Sequence, residues 1–149
     1  MSTLSPSYAT AQMIGKNCVC LRVQQASRSI ARHFDEAFRP LGLSSGQFSL
    51  LMQLNRPSPL TVGGLAEELA MDRTTTTKNL KPLERRGLLR IRRDEDDPRV
   101  KRITLTNAGR ALLAKAVHHW QAANDAVVAR LSDTQLAPLH SALRTIAER

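Results

Sequence analysis

The sequence predicts a mainly α-helical domain of the α+β type, in which a small β-hairpin follows two short helices. Apolar residues recur every three or four positions near both ends of the chain, which is typical of long helices. Two short helical segments meet around residues 70–72, at helix-turn-helix spacing. Two alternating runs, 88–93 and 99–105, then flank an acidic turn and predict a hairpin. Helix, helix and hairpin in this order form a winged helix.

The first element is predicted as one long helix over 9–39. Its apolar stripe ends at a Pro-Leu-Gly segment at 40–42, which stops a helix. The stripe consists of Cys20, Val23, Ser27, Ile30, Phe34, Ala37 and Leu41. A second helix follows, capped by Ser44 or Ser45, and a loop at 55–59 leads to the helix-turn-helix.

The helix that begins after Asp72 organises the rest of the chain. Asp72 is its expected N-cap, because a carboxylate accepts hydrogen bonds from free first-turn amides. Gly87 is expected just beyond its end, because glycine readily adopts the left-handed conformation there. Four consecutive threonines, 74–77, open this helix although branched side chains make poor helix formers. Short hydroxyl side chains at a helix start instead suit close approach to phosphates or base edges.

Side-chain caps also mark the starts of the remaining helices. Thr61 is expected to cap the first helix of the helix-turn-helix, and Thr106 a helix of about two dozen residues after the hairpin. Ser132 and Gln135 form a capping-box pattern, which predicts the start of the last helix.

Basic charge is concentrated in the helix-turn-helix and hairpin. The chain has 22 Lys or Arg, 13 Asp or Glu and a formal net charge of +9. Between residues 73 and 102 there are 11 basic residues against 5 acidic ones, which is half of the basic residues in about a fifth of the chain. A basic patch on this fold indicates DNA binding. A solvated basic surface without a partner is the other interpretation.

Other classes of protein receive little support. The sequence has no paired carboxylates, nucleophile-base pattern or glycine-rich phosphate loop, so we expect no enzyme. No Cys/His spacing indicates zinc, and no cofactor or metal is expected. Cys18 and Cys20 lie two apart on a helix and are not expected to form a disulfide. No apolar run spans a bilayer and residues 1–8 lack a secretion signal, so we expect a cytoplasmic protein without a membrane partner.

Four short motifs occur in a fixed order along the chain: Leu65-Ala66, Leu-Glu-Arg-Arg-Gly-Leu at 83–88, Asp97-Pro98-Arg99 at the hairpin tip and Leu-Thr-Asn-Ala-Gly at 105–109. In these motifs the chain resembles the MarR family of winged-helix transcription regulators. The likeness covers nearly the whole chain. No single motif is decisive, but their order and spacing together are specific.

The resemblance implies a homodimeric, sequence-specific transcription regulator, and we expect it to be a repressor. We expect a single domain over 1–149, with dimerisation helices at 9–40 and 107–149 and a winged helix-turn-helix DNA-binding lobe at 45–105. The apolar stripes at both chain ends independently call for a partner, since each must be buried. A two-fold dimer presents two recognition helices to successive major grooves, so its double-stranded DNA operator should be pseudo-palindromic.

For DNA contacts, the sequence predicts the first turns of the recognition helix and the hairpin tip. The candidates on the helix are Arg73, Thr74, Thr75, Thr76, Lys78 and Asn79. Arg73 is expected either to bind phosphate or to pack along the helix. Arg99 is similar to the family's minor-groove arginine, where a narrow groove attracts a guanidinium. Asp97 is expected to orient a nearby arginine, because its carboxylate repels phosphate.

The resemblance also implies a small effector that is aromatic or phenolic and anionic. It would bind between the dimerisation helices and the DNA-binding lobe and release the DNA. The polar and aromatic candidates near that crevice are Arg22, Gln24, Arg28, His33, His118, His119 and Trp120. An anionic ligand favours one of the arginines.

Another branch of the family senses peroxide through a cysteine on its first helix. Cys20 aligns with that cysteine when Gln47-Phe48 is matched to the branch's second-helix segment. The two tyrosines that support the thiol there are Phe34 and Ser45 here, so that support of the thiolate is missing. A lone cysteine in an apolar stripe is usually an inert core residue. Redox sensing through Cys20 and non-specific architectural DNA binding are therefore the alternative functions.

Overall fold

The computed structural model describes residues 5–148, so residues 1–4 of the segment compared with a secretion signal lie outside it. In order, the elements are α1 (Tyr8–Asn17), α2 (Val19–Phe38), a 3₁₀ turn (Arg39–Leu41), α3 (Ser45–Leu54), β1 (Leu60–Thr61), α4 (Val62–Glu68), α5 (Arg73–Arg85), β2 (Leu89–Arg93), β3 (Lys101–Leu105), α6 (Asn107–Val128) and α7 (Leu136–Ala147). The predicted mainly α-helical winged helix is confirmed. Within residues 5–148, no helix is both long and apolar enough to cross a membrane.

The strands form a small antiparallel sheet in the order β1-β3-β2. The hairpin of β2 and β3, called the wing below, agrees with the prediction, and its register pairs Ile91 with Ile103. Strand β1 is not predicted, because two residues are too few to show alternation. Leu60 of β1 also pairs with Ile103, so the sheet places the start of α4 beside the wing.

The core lies under the helix-turn-helix. Leu65 of α4 and Leu80 and Leu83 of α5 are fully buried and belong to one apolar cluster. Leu51 of α3 and Ile103 of β3 complete its centre, each at most 1% exposed. Because these side chains fix the inner face of α5, the opposite face of that helix is turned to solvent.

The first long helix is interrupted, which corrects the prediction of one helix over 9–39. Between α1 and α2, Cys18 has an extended backbone with φ −71° and ψ 109°. Its Sγ accepts a hydrogen bond from the amide nitrogen of Leu21 at 3.4 Å, so it caps α2. The sequence does not reveal this cap, because sulfur is a weaker acceptor than the oxygen atoms of the usual N-cap residues.

The last helix begins at Leu136, which corrects its predicted start at Ser132. Half of the expected capping box is present, since the side chain of Gln135 accepts from the amide nitrogen of Ser132 at 2.9 Å. However, the Ser132 hydroxyl lies 3.2 Å from the hydroxyl of Thr134 instead of capping a helix amide. The pattern therefore closes a turn, and the helix starts after it.

The other predicted caps are confirmed. Ser44, rather than Ser45, caps α3 in a complete capping box. Thr61 caps α4 and Thr106 caps α6, in each case through a side-chain oxygen that accepts a first-turn amide. These local bonds fix the starts of the helices that surround the sheet.

The terminal helices leave large apolar side chains exposed. Within the described part of the chain, α1 and α7 contain no buried residue. The exposed apolar residues at these ends include Met13, Ile14, Val19, Leu139, Leu143 and Ile146. Leu139, Leu143 and Ile146 are four and three residues apart and so share one face of α7. An exposed apolar face of this kind is typical of an interface.

Candidate nucleic-acid interface and interhelical pocket

The outer face of α5 carries the groups expected at a DNA groove. Thr74, Lys78 and Lys81 are exposed and lie opposite the buried Leu80 and Leu83. Because residues three or four apart share a helix face, these three side chains form one outward row. A hydroxyl and two cations in a row can bind base edges and phosphates.

Asp72 fixes the start of this row. Its Oδ1 accepts from the amide nitrogen of Thr75 at 2.7 Å, and its Oδ2 accepts from the Thr75 hydroxyl at 2.7 Å. These bonds, the backbone one first, hold the pKa of the Asp72 carboxyl below its ordinary value. The hydroxyl proton of Thr75 is thus committed to the cap, and only its oxygen is free to accept from another partner.

Thr76 faces the core, which corrects its assignment as a DNA contact. Its side chain is 0% exposed, and its hydroxyl donates to the carbonyl oxygen of Asp72 at 2.8 Å. The reason is helical geometry, since Thr76 precedes the buried Leu80 by four residues and shares its face. Asn79 is half-buried, and Thr77, which the sequence analysis does not select, is half-buried against the wing.

Arg73 packs along the start of α4. A Cβ atom added to Gly63 would lie 2.7 Å from Nη2 of Arg73, so the absence of a side chain there leaves room for the guanidinium. Arg73 is nevertheless exposed. Arg73 therefore packs against α4 and not along its own helix, and its contact with phosphate stays a prediction.

A basic cleft separates α5 from the wing. Two adjoining cavities of about 290 and 300 Å³ share Val62, Thr77 and Lys101. Their cationic lining residues are Arg73, Lys81, Arg92, Arg93, Arg99 and Lys101. Glu84 also lines the cleft, and its carboxylate accepts from the amide nitrogen of Ile91 at 3.2 Å, which ties α5 to the wing.

Several of these cations are absent from the predicted contact set. Lys81 lies beyond the threonine run, and Arg93 and Lys101 lie on strands. In the sequence they read only as exposed positions of a helix and a hairpin. A correct alignment of the two hairpin strands would have revealed the latter two, because it pairs Arg93 of β2 with Lys101 of β3 and so places two cations side by side.

Arg99 lies at the wing tip and is held by Asp97. Its Nε and Nη2 donate to the two carboxylate oxygens of Asp97 at 3.0 and 3.1 Å. The side chain of Arg99 is still 91% exposed. The same side-chain bond is the main reason that the pKa of Asp97 is lowered and the pKa of Arg99 is raised. The arrangement is the one expected for Asp97, while the contact of Arg99 with DNA stays a prediction.

A second ion pair stiffens the wing. Asp94 binds Arg102 and accepts from the amide nitrogen of Asp96 at 2.8 Å. These bonds, the backbone one first, lower the pKa of Asp94. Because Arg102 lies opposite Arg92 in the hairpin, the carboxylate also offsets repulsion between two cations. The acidic turn is therefore a structural part of the wing.

A cavity of about 410 Å³, called the interhelical pocket below, lies between α2, α3 and α6. Its aromatic walls are Phe34, Phe38, Phe48 and Trp120, and its hydroxyl groups belong to Ser27, Ser45 and Ser49. The rings of Phe38 and Phe48 stack with centroids 4.5 Å apart. Aromatic walls with a few hydroxyls suit an aromatic ligand that carries polar groups.

Among the described residues, Trp120 is the one predicted ligand residue that lines this pocket. The other six predicted ligand residues lie outside this pocket, which corrects their predicted placement. They are Arg22, Gln24, Arg28, His33, His118 and His119. Arg22 bonds to Gln25 at 3.3 Å, and Nε2 of His33 lies 3.0 Å from the carbonyl oxygen of Ala123. The prediction selects mainly charged and long polar side chains, whereas the walls are aromatic and aliphatic side chains of α2, α3 and α6 together with three serines.

Both cysteines are free. Cys20 is exposed, which corrects the expectation of an inert core thiol, and its Sγ accepts from the side-chain amide of Gln24 at 3.4 Å. Phe34 and Ser45, the positions of the two supporting tyrosines, both line the interhelical pocket. Of the two, only Ser45 has a hydroxyl group, whereas two tyrosines would supply two.

Known proteins resemble this chain in sequence and in fold. A family model described as "MarR family" matches residues 43–101. The organic hydroperoxide resistance transcriptional regulator of Bacillus subtilis (strain 168) is 32% identical over 102 residues, which cover 68% of this chain and 69% of the relative. The M. tuberculosis transcriptional regulator MosR, solved in complex with DNA, is 34% identical with a TM-score of 0.80, covering 88% of this chain and 94% of that one. The transcriptional repressor CouR, bound to a 23-mer DNA duplex, is 27% identical with a TM-score of 0.81, covering 91% and 96%.

Proposed function

The chain belongs to the MarR family of DNA-binding transcription regulators, and we propose that it is a sequence-specific homodimeric repressor. In this proposal it binds a pseudo-palindromic operator and releases it when a small aromatic or phenolic molecule enters the interhelical pocket. The observation that carries the proposal is the outward row of α5, which adjoins the basic cleft in front of the wing.

The DNA contacts divide by position. Thr74, Thr75 and Lys78 lie in the first turns of α5, the part of a recognition helix that enters the major groove. Arg99 extends from the wing tip toward the minor groove, where a guanidinium is favoured. The remaining cations of the cleft lie between these two points and bind phosphates, which position the protein without reading sequence. Lys101 is the central member, since both cavities share it.

The exposed apolar surface of α1 and α7 supports the dimer. Residues 9–40 and 107–149 form the dimerisation part in this proposal, and residues 45–105 form the DNA-binding lobe. Burial of this surface against a second copy favours the assembly, because removal of apolar area from water is the main favourable term in protein association. A chain truncated after Leu131 loses α7 and should dissociate or unfold, which light scattering and circular dichroism would report.

The lining of the interhelical pocket refines the ligand class. Among the described lining residues there is no Lys, Arg or His, so nothing in this protomer's pocket neutralises a carboxylate. Ser27, Ser45 and Ser49 offer hydroxyl donors and acceptors instead. We therefore favour a neutral phenol over the anionic ligand that the sequence predicts. Thermal shift with phenol and benzoate side by side would show which class stabilises the protein.

Redox release through Cys20 is the second candidate. It is favoured by the exposure of this thiol and by the name of the Bacillus relative, an organic hydroperoxide resistance regulator. A hydroperoxide would convert the thiolate to a sulfenic acid and leave an alcohol. If dilute cumene hydroperoxide releases the wild-type protein from DNA but not Cys20→Ser, the second candidate replaces the ligand-based one.

Selection of bound duplexes from a randomised library tests the main proposal. We expect one enriched pseudo-palindrome whose affinity exceeds that of mixed-sequence DNA by about 10³-fold or more. An architectural module would enrich no sequence and would bind selected and mixed-sequence duplexes with equal affinity. That result would overturn the proposal, whatever the affinity.

A further inference from the structure

The corner between α2 and α3, residues 39–44, joins the two helices that form most of the interhelical pocket. Helix α2 supplies Phe34 and Phe38 to the pocket, and α3 supplies Phe48. A ligand that changes the gap between these helices therefore moves the corner. The movement is transmitted to the residues that the corner contacts.

Arg86 ties this corner to the recognition helix. It caps the C-terminal end of α5. Its Nη1 donates to the carbonyl oxygen of Gly42 at 2.6 Å, and its Nη2 donates to that of Leu41 at 3.2 Å. Carbonyl groups at the end of a helical segment lack intrahelical partners and carry the negative end of its dipole. One guanidinium fork satisfies two of them.

The same corner is held from the side of the pocket. Oδ1 of Asp35 on α2 accepts from the amide nitrogen of Ser45 at 2.6 Å, and Ser45 is both the first residue of α3 and a wall of the pocket. Gly42 has a left-handed backbone with φ 63°, and a Cβ added to it would lie 3.6 Å from Nη2 of Arg86. The corner is therefore hydrogen-bonded to Asp35 on one side and to Arg86 on the other.

The turn after α5 is attached to the third pocket helix as well. The hydroxyl of Thr106 donates to the carbonyl oxygen of Gly87 at 2.6 Å, and its amide nitrogen donates to that of Leu88 at 3.1 Å. A Cβ atom on Gly109 would lie only 2.1 Å from the carbonyl oxygen of Leu88, so α6 approaches this turn closely. Helix α6 also carries Trp120. The end of the recognition helix is thus bonded to α6 and to the corner of α2 and α3.

We propose that Arg86 is a positioning residue that couples the interhelical pocket to the recognition helix. The inference rests on the proposed function, because it assumes that the pocket controls DNA binding. When α2 and α3 separate, the corner draws the guanidinium with it and reorients the C-terminal end of α5. Thr106 and α6 provide the fixed point about which that end turns. By linkage, DNA bound to α5 changes the ligand affinity of the pocket by the same free energy by which the ligand changes the affinity for DNA.

Trp120 reports this coupling without any added label on the protein. It is the single tryptophan of the sequence, and it is a half-buried wall of the pocket. The test measures acrylamide quenching of Trp120 in the full chain, with and without the selected operator duplex. Anisotropy of the labelled duplex measures binding in the same samples. The wild-type quenching constant is expected to change when the operator binds.

Arg86→Ala should abolish that change while operator binding persists within about tenfold of wild type, because Arg86 lies at the end of α5 opposite its DNA-reading start. Arg85→Ala is the matched control. It removes the same charge one position earlier, and in the described structure no hydrogen bond joins Arg85 to residues 39–44. It should keep the wild-type change. Arg86→Lys, which can donate to one carbonyl oxygen, should keep part of it. Arg86→Met keeps the aliphatic stem and replaces Arg86→Ala if the alanine variant does not fold.

A merely structural role would lower the melting temperature of the Arg86 variants and leave the quenching change intact. That result, or a wild-type quenching constant that operator binding does not alter, overturns the inference. Failure of the proposed function appears separately, as a library selection that enriches no sequence. The same quenching assay then runs on mixed-sequence duplex and still tests the coupling.

Discussion

Thr74 and Thr76 lie two residues apart in the same threonine run, yet the structure assigns them to opposite faces of α5. Thr74 is exposed on the outward row, and Thr76 is fully buried. Alanine substitution at each position therefore separates DNA reading from folding. The sequence alone treats the two positions as equivalent.

The expected effect of Thr76→Ala is a loss of stability. The substitution removes a buried methyl group, which counts for about 0.8 kcal/mol, and a hydroxyl whose bond contributes about 0.5–1.5 kcal/mol net. The carbonyl oxygen of Asp72 is not orphaned, because it still accepts from the amide nitrogen of Thr76 at 3.0 Å. We expect a total loss of about 1–2 kcal/mol in the free energy of unfolding, with the operator preference of the folded protein retained.

The expected effect of Thr74→Ala is a loss of preference for the operator over mixed-sequence DNA. An exposed substitution changes stability by less than about 0.5 kcal/mol, whereas one lost base-edge contact costs about 1–3 kcal/mol of discrimination. Urea unfolding measures the first quantity. Anisotropy titrations with operator and mixed-sequence duplex measure the second. If Thr76→Ala erodes the operator preference without destabilising the protein, the inward placement of Thr76 is wrong.

Three further predictions follow from the wing, the helix-turn-helix turn and the caps. Arg99→Ala should weaken binding to operator and mixed-sequence DNA together and reduce the slope of log affinity against log salt by about one, as titrations at several salt concentrations would show. Ala70 has φ 50°, which costs about 1–2 kcal/mol for a non-glycine residue, so Ala70→Gly should raise the urea midpoint by a net stabilisation of about 0.5–1 kcal/mol after the entropic cost of glycine. Because the pKa of Asp72 is lowered in the folded state, its contribution to stability is present above the unfolded pKa of about 3.9 and disappears as pH falls through the folded value. Asp72→Asn should therefore show a shallower loss of stability on acidification, measured as urea midpoints below about pH 5.

Features that depend on local side-chain chemistry are the ones that the sequence predicts well. Asp72, Thr61 and Thr106 each satisfy amides within three residues of themselves, so the pattern and the structure agree. Gly87 likewise has the left-handed backbone expected of it, with φ 71°. Cys18 caps α2 by the same geometry but goes unpredicted, because thiols are rare in that role.

Features that depend on which way a side chain faces are predicted less well. The inward direction of Thr76 follows only once Leu80 and Leu83 are known to face the core. The interhelical pocket depends on the packing of α6 against α2 and α3, from which α6 is distant in sequence. Its walls are apolar residues that the sequence pattern assigns simply to the core, so a search for polar ligand groups selects side chains that lie outside it.

Binding as a two-fold dimer is tested by comparing an intact operator with one whose second half-site is scrambled. A two-fold dimer contacts both half-sites through two copies of α5. We expect one dimer on each intact operator, and an affinity for the scrambled duplex that falls by about 10²-fold or more, since each mismatched base pair costs about 1–3 kcal/mol. Stoichiometry from sedimentation and affinity from anisotropy, measured on the same duplexes, give both values. A single protomer bound to each duplex, with equal affinity for the intact and the scrambled operator, would show that the protein does not bind DNA as a two-fold dimer.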